Sequence, residues 1–75
     1  MKTLNLYKYG DSVRIVKITG DPKTKRRFMD MGITKNTIID IVKYAPLGDP
    51  IELKIRGYDL TIRKNDAKNI IVEEV

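Results

Sequence analysis

Apolar positions recur mostly every second residue along this chain, in short stretches separated by glycine-bearing turns, the pattern of strands with one buried face. Val13 and Ile15 alternate with Arg14 before Val16 and Ile18 take over the apolar role. That change of phase predicts a first strand over 13–19 with a bulge or strong bend at Val16. A second strand is expected over 37–44, where Ile39 and Ile41 flank Asp40 and leave Ile38 and Val42 on the other face. Ile51, Leu53 and Ile55 alternate with Glu52, Lys54 and Arg56, and Tyr58, Leu60 and Ile62 continue the alternation past a hairpin turn at Gly57. Residues 65–68 read as a single turn before a last strand holding Ile70, Ile71 and Val72.

One segment breaks the two-residue rhythm. Gly20-Asp21-Pro22 places Asp as a helix N-cap and Pro at the first helical position, where a missing N–H costs nothing. A short helix is expected over about 22–31, with Thr24, Phe28 and Met31 on one stripe. Gly32 ends it in the left-handed conformation, with Ile33 folding back on the last turn. Lys35-Asn36 is a further turn, because Asn tolerates positive φ. Five short antiparallel strands with one helix after the first describe a mostly β chain, a small SH3-like barrel forming a single domain over 1–75. Eleven Ile and five Val among 75 residues agree with that class.

Composition removes most catalytic chemistry. The chain has no His and no Cys, which excludes disulfides, thiolate nucleophiles, imidazole bases and Cys/His zinc sites. Ser12, the only serine, lies beside Gly10-Asp11 and reads as a turn residue. The carboxylates are scattered, and only Glu73 and Glu74 are adjacent, on opposite faces of a strand. No enzyme activity, cofactor or metal site is therefore expected. No apolar run approaches the ~20 residues that cross a bilayer, so a cytoplasmic, soluble chain is expected.

The formal charge is +5. Lys23, Lys25, Arg26 and Arg27 crowd the first turns of the expected helix. They read either as a grip for phosphate or an acidic protein surface, or as a solvated face with Arg26 or Arg27 paired to Asp30. The tyrosines lie away from that cluster in sequence, and Tyr7, Tyr9, Tyr44 and Tyr58 are assigned to packing ahead of base stacking. The loop Ala45-Pro46-Leu47-Gly48-Asp49-Pro50 carries two stiffening prolines around an apolar Leu. Leu47 is either presented to a partner or folded down on the end of the barrel.

The helix ending Arg26-Arg27-Phe28-Met29-Asp30-Met31-Gly32-Ile33, the loop Ala45 to Ile51, and Arg56 to Arg63 with Ala67 to Val72 together resemble the ferrous-iron transport protein A family, FeoA. The resemblance covers nearly the whole chain. Lys35-Asn36 stands where that family commonly has Pro-Gly. The resemblance implies a cytoplasmic accessory protein of bacterial ferrous-iron uptake, peripheral to the inner membrane through its partner. That partner is the FeoB transporter, contacted at its cytoplasmic GTPase domain. Without His or Cys, metal binding through those side chains does not carry over. The expected contact surface comprises Pro46, Leu47, Gly48 and Asp49 with Lys23, Arg26 and Arg27. The rival reading is a nucleic-acid-binding barrel using the Lys23 to Arg27 cluster. Ile38, Val42 and Ile71 leave both a monomer and a weak homodimer through a strand edge open.

Overall fold

The computed structural model describes residues 1–75. The elements in chain order are strand β1 (Lys2–Thr3), a 3₁₀ turn (Leu4–Leu6), β2 (Ser12–Ile18), helix α1 (Pro22–Asp30), β3 (Ile38–Tyr44), β4 (Ile51–Ile55), β5 (Tyr58–Ile62), the one-turn helix α2 (Lys64–Ala67) and β6 (Ile70–Glu74). The five expected strands are all present, and β1 adds a sixth. It pairs Lys2 with Val72 and Thr3 with Ile71. All six form one antiparallel sheet in the order β1-β6-β2-β3-β4-β5. The ladder stops at β1 and β5 without closing through them. Instead α2, which follows β5, packs against the 3₁₀ turn that follows β1. These two short elements cover the open side of the barrel.

The change of phase at Val16 is a register shift between Ile15 and Lys17 where β2 crosses β6. The extra residue turns the strand's apolar set without breaking the sheet. Fourteen buried apolar side chains form one core, with Phe28 of α1 and Leu4 of the 3₁₀ turn set among inward residues of five strands. Thr37 is the one buried polar residue. Its hydroxyl pairs with that of Thr34 at 2.8 Å and accepts from Arg56 at 3.2 Å.

Both ends of α1 follow the sequence. The Asp21 side chain accepts from the Thr24 N–H at 2.7 Å, and Pro22 opens the helix. The Ile33 N–H donates to the Phe28 carbonyl at 2.9 Å and the Gly32 N–H to Met29 at 3.0 Å, with Gly32 at φ +89. These two bonds satisfy carbonyls that a helix end otherwise leaves unpaired.

The β4–β5 hairpin departs from simple alternation. Arg56 and Gly57 both have positive φ, +50 and +86, which matches a two-residue turn to the twist of the flanking strands. Tyr58, expected inward, is 44% exposed, because its hydroxyl reaches over to the Met31 carbonyl at the end of α1. Tyr7 and Tyr44 pack against the core as expected, with the Tyr44 hydroxyl donating to the Tyr7 carbonyl. Burial, then the nearby Asp11 charge, pushes the Tyr44 phenol above its ordinary 10.0. Tyr9 is not packed; it stands 71% exposed. Ser12 starts β2 and donates to Asp40 across the β2–β3 seam at 2.6 Å, a structural bond.

Candidate functional site

The β3–β4 loop is built to hold its tip still. The Gly48 N–H donates to the Ala45 carbonyl at 2.7 Å, and the Ala45 N–H to the Pro50 carbonyl at 3.1 Å. Pro46 and Pro50 bracket the turn and remove further backbone freedom. Leu47 sits at the apex, 96% exposed, the most exposed large apolar side chain of the molecule. It is presented to solvent and not folded down on the end of the barrel.

Asp49 fixes the loop to its surroundings. Its Oδ1 accepts from the Lys64 N–H at 2.9 Å, one of the donors that the first turn of α2 cannot satisfy internally. Two residues further along α2, Asp66 pairs with the Arg27 guanidinium at 2.9 Å. Arg27 also lies over the Phe28 ring, 5.4 Å from its centroid. A continuous set of contacts therefore runs from the Leu47 loop through α2 to α1. Arg27, Met31, Pro50 and Ile62 line a cleft of about 390 Å³ along it. Neither Asp49 as an anchor nor Asp66 as the partner of Arg27 was legible beforehand, because each meets a residue remote in sequence. The one signal was an Asp beside a proline in a loop, a side chain that habitually satisfies backbone N–H groups.

The cations of α1 are not one patch. Arg27 is committed to Asp66, whereas the sequence suggested Asp30 as the acid for Arg26 or Arg27. Lys23 and Arg26 stand exposed and unpaired on the outer face, in a shallow depression that Asp21 and Asp30 share. Lys25 faces the opposite flank, toward β2. Contacts to the Thr24 backbone N–H and hydroxyl, more than any cation, hold the Asp21 carboxyl below its ordinary 3.8. Of the expected contact residues, Pro46, Leu47, Gly48 and Asp49 stand together and Arg27 adjoins them through the Pro50 cleft. Lys23 and Arg26 lie further around α1 and line no cleft with the loop. No three carboxylates converge as a metal site would need, and no helix is long and apolar enough to cross a membrane.

Likenesses to known proteins agree with this architecture. The NMR structure of a FeoA-like protein from Clostridium acetobutylicum superposes with a TM-score of 0.92 at 43% identity, covering 99% of this chain and 86% of that one. The zinc complex of Stenotrophomonas maltophilia FeoA, described as a prokaryotic SH3 domain protein, shares the fold with a TM-score of 0.81 at 19% identity. It covers 97% of this chain and 91% of that one. A curated relative from Porphyromonas gingivalis, a fusion of Fe(2+) transport protein A with the Fe(2+) transporter FeoB, is 36% identical over 85% of this chain. The chain spans only 8% of that fusion protein's length. With residues 2–74 matching the FeoA domain and the SH3-like barrel in place, the chain belongs to the FeoA family.

Proposed function

We propose that this chain is a non-enzymatic accessory domain of ferrous-iron uptake that docks on the cytoplasmic, GTPase-bearing part of a FeoB-like transporter and modulates its activity. The observation that carries this reading is Leu47, fully presented on a loop fastened by Asp49 and two prolines. An apolar anchor held rigid before binding loses little entropy on docking. Arg26 and Lys23, unpaired on the outer face of α1, are the cations left to steer an acidic partner surface, Arg27 being committed to Asp66. The fusion of a related domain to FeoB in one polypeptide supports the pairing, since linkage raises the effective concentration of two parts that work together. The chain then works at the cytoplasmic side of the membrane through its partner. To alter GTP hydrolysis or iron permeation it must bind one nucleotide state of the partner more tightly, because equal affinity shifts nothing.

The test is binding of wild-type and Leu47→Asp protein to the purified cytoplasmic part of FeoB in its GTP-analogue and GDP forms. The substitution is expected to weaken binding about tenfold or more, the loss typical of an interface anchor, with an unchanged thermal midpoint. Equal binding by the two proteins would remove the loop from the interface.

A further inference from the structure

On the flank of α1 away from the Leu47 loop, the helix and β2 enclose a groove of about 530 Å³. Its apolar lining includes Val16 and Ile18 of β2 and Met29 of α1; Lys17, Lys25 and Lys35 also line it. None of the three lysines has a carboxylate partner, and no Asp or Glu lines the groove. Met29 is 63% exposed despite its apolar side chain. A flexible thioether left in solvent is the residue type that adaptable binding surfaces use. The strand beside it is also unfinished. β3 pairs with β2 only through Arg14, and the last backbone bonds across that seam are made at Ile15. From Val16 to Ile18 no strand lies on that side of β2.

We propose that this groove takes an extended, acidic segment of a protein partner. An apolar side chain of the segment rests against Met29, Val16 and Ile18, and its flanking carboxylates meet Lys17, Lys25 and Lys35. Three unpaired cations around an apolar floor repel a basic occupant and favour an acidic one over a neutral one. The free side of β2 accepts an extended backbone, so that alternate side chains of the segment face the groove. The site is separate from the Leu47 loop and does not depend on the identity of the transporter partner. Residues 25 and 29 lie one turn apart on one flank of α1, while Arg27 faces α2 on the other.

The probe is a capped peptide alternating Glu with Leu, titrated into ¹⁵N-labelled protein, with a peptide carrying Lys for each Glu as its counterpart. The acidic peptide is expected to shift the amides of residues 16–18, 25–29 and 33–35, with an affinity that falls as salt is raised. Met29→Glu keeps a good helix former at an exposed site and is expected to weaken the peptide about tenfold. Lys17→Gln with Lys25→Gln is expected to remove most of its salt-dependent part. Shifts confined to other residues, equal binding of the Lys peptide, or no shift at millimolar peptide would each overturn the proposal. Concentration-dependent shifts of the same amides without peptide would also overturn it, by assigning the groove to a second copy of this chain.

Discussion

The Tyr58 hydroxyl donates to the Met31 carbonyl at 2.6 Å and stands where a Cβ on Gly32 would have to sit. One glycine thus serves two ends: it supplies the positive φ that closes α1 and the clearance that lets β5 fasten to that closure. Gly32→Ala is expected to cost about 2–4 kcal/mol, combining left-handed strain with overpacking against Tyr58. That lowers the thermal midpoint by ~10 °C or more. Tyr58→Phe alone loses a hydrogen bond, about 0.5–1.5 kcal/mol. Combined with it, Gly32→Ala becomes cheaper by ~1 kcal/mol, because the ring carbon behind the hydroxyl is at ordinary contact, 3.5 Å, from the new methyl. Denaturant melts of the four proteins measure this coupling.

Acid sensitivity of the helix start is a second expectation. The Thr24 N–H holds the folded Asp21 carboxyl below its ordinary 3.8, so the folded chain binds this proton less readily than the unfolded chain. Its contribution is complete above the unfolded value and disappears as pH falls through the lower folded one. Asp21→Asn keeps an acceptor for the cap but has nothing to titrate. Its thermal midpoint is expected to match wild type less closely near neutral pH than in acid below the lowered folded value, where the wild-type cap has lost its charge. Midpoints measured between those limits give the difference directly.

The contrast between α1 and the surface it serves shows where sequence reasoning stops. Asp21-Pro22 and Gly32-Ile33 specify their caps through bonds within a few residues, so the helix was legible at both ends. Ile51, Leu53 and Ile55 were legible because the two-residue period matches one buried face. Lys2–Thr3 was not, since a two-residue strand carries no periodicity and exists only through its pairing with Ile71 and Val72. Tyr58 kept the period but left the core, because a phenol gains more from a helix-end carbonyl than from burial without a partner. The loop of the candidate site was legible as a rigid turn. The side toward which its Leu points, and the splitting of Lys23 to Arg27 around α1, depend on packing that no local pattern encodes.

That splitting separates two roles for neighbouring arginines. Arg27 braces α2 through Asp66 at 2.9 Å, with just over half of its side chain exposed. A double-mutant cycle of Arg27→Ala with Asp66→Asn is expected to give a coupling of about 0.2–1 kcal/mol that fades in high salt. Arg26 has no such partner. Arg26→Ala is expected to leave the melting midpoint unchanged and to slow association with the FeoB cytoplasmic part, chiefly at low salt. Stopped-flow association rates distinguish it from Arg27→Ala, which is expected to alter stability as well.

The loop's anchor is separable from its tip. Asp49 does not need its charge to hold Lys64, only a carbonyl-type oxygen at the position of Oδ1. Asp49→Asn is therefore expected to retain the bond and bind the transporter fragment like wild type. Asp49→Ala releases the loop from α2 while Leu47 stays chemically intact. The partner must then order the loop itself, and affinity is expected to fall about threefold to tenfold, the scale of immobilising a mobile interface element. The fall should appear with a shifted Lys64 amide resonance and increased fast motion of residues 46–49 in the free protein. If Asn and Ala weaken binding equally while the Lys64 amide stays in place in the Asn variant, Asp49 touches the partner through its charge and the loop's rigidity is not what binding requires.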